Sequence, residues 1–274
     1  MTNLLSKMKY IFLKRHVYGW SSSLRVLPNL IVIGVVRSGT TSLYHYLGQH
    51  PSIIKSAYDE LGYFDSNFDL GLNWYRSLFP TIFEKKKIEQ KSGKFMTYDV
   101  TPFYIYNEKA PKRIQNILPN SKLILILRNP IDRAYSNYFL TAQDKKFEDI
   151  IIEEEKALET IDRNNEEEYY KFVHTSLLSR GFYAEQLKKW FKIFPRNQIL
   201  IIKSEDFATK TNEIMNEVFS FLELDNFNIP DNSKKNKIDY KPMKDETRKY
   251  LIKYFRPYNE KLYSMLDRNF DWEK

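Results

Sequence analysis

Short apolar runs alternate along the chain with longer segments in which apolar residues recur every three or four positions. Such runs are typical of strands buried on both faces, and the recurring spacing is typical of amphipathic helices. Strands that alternate with helices, separated by short loops, predict a three-layer αβα fold with a central, mostly parallel sheet. The predicted strands cover residues 30–33, 53–54, 95–100, 122–127 and 198–202.

The intervening segments differ in how clearly they predict helices. Pro80 and Pro195 end two amphipathic segments, because proline disfavours helical backbone in the residue before it. Residues 84–94 are charged, and we expect an exposed connection there, while the Asn, Asp and Lys residues of 226–243 predict a loop. Helices are predicted over residues 71–80, 183–194, 211–222 and 246–266, and over 145–175 with a break at Asn164 and Asn165.

The first 27 residues combine regularly spaced apolar positions with basic residues. Such a pattern predicts a short basic amphipathic helix, which could rest peripherally on an anionic membrane surface or pack against its own domain. We find neither an internal repeat nor a domain boundary farther along the chain. We therefore expect an N-terminal extension over residues 1–27 and a single domain over 28–274. The apolar positions of the extension are Leu4, Leu5, Met8, Ile11 and Phe12, and its basic positions are Lys7, Lys9, Lys14 and Arg15.

Composition narrows the class of protein. The chain has 274 residues, of which 16% are aromatic, and this favours a packed globular protein. Cysteine is absent from the sequence, which excludes disulfides and thiolate metal ligands. The four histidines show no ligand-like spacing beyond His45 and His50, so we predict no structural metal. Without a signal peptide or an apolar run long enough to span a bilayer, the simplest expectation is a cytoplasmic protein.

Charge is distributed unevenly along the chain. The sequence has 43 basic and 35 acidic residues, a net charge of +8. Residues 148–168 contain ten acidic and two basic residues, so 41 basic and 25 acidic residues remain elsewhere, a net charge of +16. Nucleic acid, an anionic cofactor and an acidic polysaccharide are all compatible with this basic surface, as is an ordinary lysine-rich surface. The acidic segment could form a lid, an acceptor-side wall or an exposed helix with no role in a site.

Residues 28–51 contain a predicted strand, a glycine-bounded turn and a predicted helix that stops before Pro51. This arrangement directs backbone N–H groups and a helix N-terminus at an anion. Gly34 and Gly39 have the spacing of a nucleotide phosphate-binding loop, but Thr40 occupies the position of the expected lysine. The positive charge of this loop is carried by Arg37 instead.

Polar residues also follow the other predicted strands. They include Thr101 and Pro102, Arg128 with Ser136 in the next helix, and residues 203–205. Because open parallel sheets bind ligands at the carboxyl ends of their strands, we expect these residues to meet the phosphate loop in one site. Two separate anion-binding loops suit a ligand that carries two phosphate-like groups.

Two motifs in these loops resemble the cofactor loops of the sulfotransferases. They are Gly-Val-Val-Arg-Ser-Gly-Thr-Thr-Ser-Leu at 34–43 and Leu-Arg-Asn-Pro-Ile-Asp-Arg-Ala-Tyr-Ser at 127–136. That family transfers a sulfuryl group from 3′-phosphoadenosine 5′-phosphosulfate (PAPS). Residues 59–65, 71–80, 181–187 and 243–248 resemble, more narrowly, its heparan-sulfate-type (carbohydrate) branch and the bacterial relatives of that branch. The resemblance covers roughly residues 28–272.

The resemblance implies a role for each matching residue on the donor side. Arg37 stands where many members have lysine, and its guanidinium would stabilise charge on the leaving group electrostatically. Arg128 and Ser136 would hold the 3′-phosphate, the group that distinguishes PAPS from ATP. Tyr183 would line the adenine side, although a tyrosine on an amphipathic helix is often a core residue. The 5′-phosphosulfate would be bound by Arg37, Ser38, Gly39, Thr40, Thr41 and Ser42, and a basic clamp would be formed by Lys234, Lys235 and Lys237.

The acceptor side departs from the family pattern. Glu60 matches the glutamate that acts as general base toward the acceptor, and the alternative is a surface carboxylate beside Asp59. The family motif usually has lysine before this glutamate and histidine two residues after it, whereas this chain has Asp59 and Gly62. Asp99 lies where relatives often place a charged residue. It is a second candidate base or positioning group, or a buried hydrogen-bonding residue.

The leading hypothesis is a sulfotransferase that acts on a hydroxyl or amine of a carbohydrate or glycolipid acceptor, with no nucleic-acid partner. A first alternative is an ATP-dependent P-loop kinase, which is weakened by Thr40 and by the lack of a clear acidic Mg²⁺ site after a strand. A second alternative is a non-catalytic binder of anionic glycan or nucleic acid that uses the basic surface.

Overall fold

A five-stranded parallel sheet forms the centre of the computed structural model, which describes residues 19–141, 144–233, 235 and 240–273. The strands lie in the order β2-β3-β1-β4-β5, and every adjacent pair is parallel. The predicted αβα fold with a mostly parallel sheet is therefore confirmed. The strands are β1 (Leu30–Gly34), β2 (Ile53–Lys55), β3 (Met96–Val100), β4 (Lys122–Leu127) and β5 (Ile199–Lys203).

Both faces of the sheet are buried, which explains why its strands are continuous apolar runs. Successive side chains of a strand point to opposite faces. Ile31 and Leu123 accordingly join one buried cluster, which includes Ile114 and Trp190, and Leu30 joins another. The second cluster also contains Ile124, Leu43 and Met215. Helices therefore cover the sheet from two sides, and the residues at the strand ends are left to form a site.

The helices lie mainly between the strands, in the positions that the apolar spacing predicts. The predicted break at Asn164 and Asn165 is confirmed, since the Asn165 side chain accepts a hydrogen bond from the Glu168 amide at a helix start. The helices are α1 (Thr40–Leu47), α2 (Leu72–Arg76), α3 (Ile82–Ser92), α4 (Ala110–Ile117), α5 (Pro130–Leu140), α6 (Phe147–Thr160), α7 (Glu166–Thr175), α8 (Tyr183–Phe191), α9 (Ser204–Thr209), α10 (Thr211–Phe221) and α11 (Asp245–Leu266).

Helix α3 corrects one prediction, because residues 84–94 are not an irregular connection. The Thr81 hydroxyl accepts from the Glu84 amide, and the Glu84 carboxylate accepts from the Thr81 amide, which forms a capping box. Gly93 ends the helix in a left-handed conformation with φ 73°. The helix buries no residue fully, so its start and stop signals predict it better than its apolar spacing does.

The acidic segment 148–168 forms most of α6 and the start of α7. Glu148 accepts a hydrogen bond from Thr247 near the start of α11, at 3.0 Å. Glu154 is buried and accepts hydrogen bonds from the backbone amides of residues 177–179. The segment is thus packed against the domain through specific contacts, and a role as a lid or an acceptor-side wall stays a prediction.

The N-terminal extension is described only from Gly19 onward, where a short 3₁₀ helix (Gly19–Leu24) leads into the domain. The predicted basic amphipathic helix falls largely on residues 1–18, which lie outside the described residues. Within the described ranges, we find no helix with the length and apolar character needed to cross a bilayer.

Candidate active site

A cavity of about 720 Å³ opens where four of the strands end. Residues from the segments after β1, β3, β4 and β5 line it, as the rule for parallel sheets predicts. Residues 36–42 and Ser136 contribute one part of its wall, and Glu60 another. The cavity therefore collects most of the described residues to which the sequence assigns a role.

The turn between β1 and α1 provides the floor of the cavity. Gly39 has φ 100°, a left-handed conformation that glycine adopts without steric cost, and its carbonyl accepts from the Leu43 amide to start α1. The Ser38 hydroxyl donates to the Val35 carbonyl at 2.6 Å, which holds the turn closed. The first amides of a helix have no acceptor within the helix, so this turn directs N–H groups toward the cavity.

Arg37 and Arg128 connect the two predicted anion-binding loops. The Arg37 Nε donates to the Ser136 hydroxyl at 3.1 Å, and the Arg128 Nη1 donates to the Arg37 carbonyl at 2.8 Å. Burial, followed by the adjacent positive charge of Arg128, lowers the pKa of Arg37 from its ordinary value. Two neighbouring cations in a partly buried cavity favour an anionic ligand, because such a ligand relieves their mutual repulsion.

Two of the three acidic residues that line the cavity, Asp132 and Glu205, are bound by other residues. Asp132 forms an ion pair with Arg248 of α11. The Glu205 Oε1 accepts a hydrogen bond from the Asn129 amide at 2.8 Å, at the start of α5. Neither carboxylate therefore neutralises Arg37 and Arg128 through a direct contact, and the donor set of this region fits a phosphate or phosphosulfate group.

A second wall comes from α9 and the segment around Lys235. The Ser204 hydroxyl donates to the Ser38 carbonyl at 2.8 Å, and Phe207 of α9 also lines the cavity. The Lys235 amide donates to the Ser42 hydroxyl at 3.1 Å, while its Nζ pairs with Asp231 at 2.9 Å. Lys235 is thus beside the phosphate loop, as predicted. Lys234 and Lys237 lie outside the described residues.

Glu60 lines the cavity from a loop that precedes β3 in the sequence and contacts its end. Its amide donates to the Val100 carbonyl at 2.8 Å, and its backbone is left-handed with φ 55°. Gly62 is also left-handed, with φ 61°, and an added Cβ there would lie 3.1 Å from side-chain atoms of Asp65, Ser66 and Asn67. A histidine at this position would have to adopt a left-handed backbone and would crowd these side chains.

Two predicted site residues are buried and do not line the cavity. The Tyr183 hydroxyl donates to the Arg128 carbonyl at 2.8 Å, so this residue supports the second loop from behind. The carboxylate of Asp99 is fully buried and accepts hydrogen bonds from Thr101, Tyr75 and Tyr104. Of the two candidate bases, Glu60 lines the cavity and Asp99 does not.

Tyr240 is a cavity residue that the sequence analysis did not identify. Its hydroxyl accepts from the Arg128 Nη2 at 3.4 Å, and its ring stacks on Phe139 at 4.9 Å. It lies in the polar segment after Lys237, where neither spacing nor hydropathy singles it out.

Within the described ranges, no group of three His, Cys, Asp or Glu residues could hold a metal ion.

Comparisons with known proteins agree with this geometry. A sequence model of the sulfotransferase domain family matches residues 27–254. The membrane-associated sulfotransferase kil1 of Dictyostelium discoideum is 31% identical, over 90% of this chain and 67% of that protein. The human bifunctional heparan sulfate N-deacetylase/N-sulfotransferase 3 is 28% identical over 93% of this chain. The mouse heparan sulfate glucosamine 3-O-sulfotransferase 3A1 is 29% identical, over 90% of this chain and 65% of that enzyme.

The extent of these matches differs among the relatives. This chain spans only 32% of the human bifunctional enzyme, so that protein contains a large part with no counterpart here. Among solved structures, a sulfotransferase from Alicyclobacillus acidocaldarius has a TM-score of 0.68 at 24% identity, covering 91% of this chain and all of that one. That likeness supports the fold. Because the family model matches most of the chain, the chain belongs to the sulfotransferase family of transferase enzymes.

Proposed function

We propose that the protein transfers a sulfuryl group from PAPS to a hydroxyl or amine of a carbohydrate acceptor by in-line displacement. Family membership supports sulfuryl transfer, and the names of relatives that act on heparan sulfate support a carbohydrate acceptor. The observation that carries the proposal is the hydrogen bond between Arg37 and Ser136. It joins two anion-binding loops within one cavity, as a donor with phosphate groups at both ends of its ribose requires.

The donor would be held by two sets of residues. The turn of residues 37–42 would bind the 5′-phosphosulfate through backbone amides and the hydroxyls of Thr40 and Thr41. Arg128 and Ser136 would bind the 3′-phosphate, since a guanidinium and a hydroxyl supply several donors to one anion. Tyr240 and Tyr183 support Arg128 through its side chain and its carbonyl, respectively.

Bound PAPS supplies a sulfuryl group that is activated by a phosphate leaving group. Arg37 would stabilise the negative charge that develops on this leaving group, and its guanidinium remains charged throughout. Glu60 would accept the proton of the acceptor hydroxyl or amine as the new bond to sulfur forms. Glu60 is exposed at the cavity wall, so an acceptor can approach it from solvent.

Calorimetry with adenosine 3′,5′-bisphosphate tests the donor site directly. We expect binding in EDTA that is tighter than the binding of ATP with Mg²⁺, because the site offers cations and amides for two separate phosphates. Arg128→Ala should weaken this binding about 10-fold or more through loss of a charge-assisted contact. Lys188→Ala, a similar charge loss at an exposed position of α8, serves as the control and should leave the affinity unchanged.

The same titrations separate the proposal from its alternatives. ATP binding that is tighter and depends on Mg²⁺ would favour the P-loop kinase. A non-catalytic binder of polyanions would instead show a steep salt dependence without preference for the 3′-phosphate. Either result would overturn the proposed donor.

A further inference from the structure

Asp99 is a buried carboxylate at the end of β3 that serves no evident purpose in the core. Its side chain is 0% exposed and accepts three hydrogen bonds from hydroxyl groups. The donors are Thr101 at 2.7 Å, Tyr104 at 2.8 Å and Tyr75 at 2.9 Å. A carboxylate buried at this depth costs free energy unless its contacts compensate, so its presence calls for a reason.

Two of the three hydroxyl groups continue to the loop that contains Glu60. The Thr101 hydroxyl accepts a hydrogen bond from the Gly62 amide at 3.2 Å. The Tyr104 hydroxyl accepts one from the Phe64 amide at 3.3 Å. Two chains of hydrogen bonds therefore begin at the carboxylate, and each passes through one hydroxyl to one backbone amide. Both amides lie within four residues of Glu60.

An ionised carboxylate is suited to this arrangement because it only accepts hydrogen bonds. It draws the protons of Thr101 and Tyr104 toward itself, and the lone pairs of both hydroxyl oxygens then face the loop amides. A neutral amide side chain in its place would donate to one of its neighbours and reverse a hydroxyl. Burial raises the pKa of Asp99 to about 6, while the hydrogen bonds from Thr101, Tyr104 and Tyr75 favour its ionised form.

The loop needs such support because its backbone is strained. Glu60 and Gly62 both have left-handed backbones, with φ 55° and 61°, and this conformation is costly for glutamate. Strained backbone at functional sites persists where the surrounding structure determines it. Here the contacts are three hydrogen bonds from backbone amides. The Gly62 and Phe64 amides donate to the two hydroxyls, and the Glu60 amide donates to the Val100 carbonyl.

We propose that Asp99 is a positioning residue that fixes the loop of Glu60 by orienting two hydroxyl groups. It holds the base against the cavity without touching the substrate. The proposal rests on the proposed function for the role of Glu60, whereas the ordering of the loop by Asp99 does not depend on it. Asp65 is the other ionisable carboxylate that acts on Asp99 electrostatically, and Tyr75, Tyr104 and Thr101 complete its surroundings.

Three single-hydroxyl variants test this proposal. Thr101→Val and Tyr104→Phe each remove one link between Asp99 and the loop while keeping nearly the same shape. Tyr75→Phe removes the third hydroxyl, which contacts Asp99 but has no bond to the loop among the hydrogen bonds described. We expect kcat to fall by up to about 100-fold in the first two variants, with the affinity for adenosine 3′,5′-bisphosphate unchanged. Tyr75→Phe should retain a kcat close to that of the wild type.

Amide hydrogen exchange of residues 60–65 provides a readout that requires no substrate. Exchange at Gly62 should accelerate in Thr101→Val, and exchange at Phe64 in Tyr104→Phe, whereas Tyr75→Phe should protect both amides like the wild type. Equal exchange and equal kcat in all three variants would overturn the proposal, since a purely structural carboxylate makes its three partners equivalent. If the wild-type protein transfers no sulfuryl group, the proposed function fails, while exchange in Asp99→Asn still decides the role of Asp99: faster exchange at Gly62 or Phe64 supports the proposal, and wild-type exchange at both overturns it.

Discussion

The proposed donor side and the proposed acceptor side of the cavity each present a key residue with a left-handed backbone, but different contacts hold the two residues. Arg37 and Glu60 both have left-handed backbones, with φ 70° and 55°. The Arg37 backbone and side chain are held by Arg128 and Ser136, which belong to the second cofactor motif. The Glu60 loop is held by Asp99 through residues that lie outside its own motif.

This difference shows that the cofactor motifs contain the residues that hold Arg37, whereas the motif of Glu60 does not contain the residues that hold its loop. The donor side consists of β-to-α turns, whose geometry follows from glycine, helix starts and strand ends. The acceptor side is an irregular loop whose conformation is set by a buried carboxylate on a neighbouring strand. Substitutions within the two cofactor motifs should therefore alter the proposed donor site. The proposed acceptor site should also be altered by substitutions outside its own motif.

Removal of the Arg37 side chain should have the largest effect on the donor side. Arg37→Ala should lower kcat by about 10²–10³-fold, because it deletes the cation nearest to the proposed leaving group. Arg37→Lys should recover part of this loss, since lysine keeps the charge without the planar fork. Steady-state kinetics of the two variants measure the difference. Equal rates for lysine and alanine would show that charge at this position is not what the reaction uses.

The pH dependence of stability should reveal the buried carboxylate of the acceptor side. The pKa of Asp99 is raised from its ordinary value of 3.8 to about 6, so between these values the folded state binds more protons than the unfolded state. The stability contributed by this group is therefore highest in acid and falls as pH rises through this window, by up to about 1.4 kcal/mol per pH unit. Denaturant unfolding of wild type and Asp99→Asn measures it. Parallel stability curves for the two proteins would contradict the shift.

Restoring the histidine of the family pattern should damage the acceptor loop. Gly62→His should destabilise the protein by about 1–2 kcal/mol, because a side chain at φ 61° is strained. Contacts at 3.1 Å to neighbouring side chains should add to this cost. Gly93→His is the matched control, since Gly93 has φ 73° and an added Cβ meets no atom within 4 Å. Equal losses in urea unfolding would show that crowding at Gly62 contributes nothing.

Relief of the strain at Glu60 should give the smallest change in stability. Glu60→Gly should stabilise the fold by about 0.5–1 kcal/mol. Glycine adopts the left-handed backbone without steric cost, and the larger conformational entropy of glycine in the unfolded chain offsets part of this gain. The same variant should lose activity. Glu223→Gly, at a left-handed position with φ 60° outside the cavity lining, should gain similar stability less the small contribution of its exposed ion pair with Lys122, and it should keep its activity. Destabilisation of Glu60→Gly alone would indicate that its side chain supports the fold.

The sequence places the residues of the proposed donor site in one cavity because each of its features is local. Gly34, Gly39 and Arg37 lie within one short turn, and Arg128 follows the most apolar strand of the chain. Helix α3 has weak apolar spacing, so hydropathy alone does not predict it. The capping signals of Thr81 and Gly93 predict this helix from the sequence alone.

The acceptor side could be predicted only in part. The resemblance identifies Glu60, whereas the sequence allows three roles for Asp99. The contacts that decide among them join Asp99 to Tyr75, which precedes it by 24 residues, and pass through hydroxyls to the Glu60 loop. Such pairings arise from tertiary packing, which hydropathy and spacing do not encode. Tyr240 was missed for the same reason.

The most direct test of the account is sulfuryl transfer from PAPS to a panel of glycans, with the product identified by its mass. The wild-type protein should give products heavier by one SO₃ unit, since the acceptor keeps its own oxygen or nitrogen atom. Glu60→Gln should lower kcat by about 10²–10⁴-fold with unchanged affinity for adenosine 3′,5′-bisphosphate, and Asp59→Asn should remain active. A Glu60→Gln variant as active as the wild type, or the absence of any sulfated glycan from the wild-type reaction, would contradict the account.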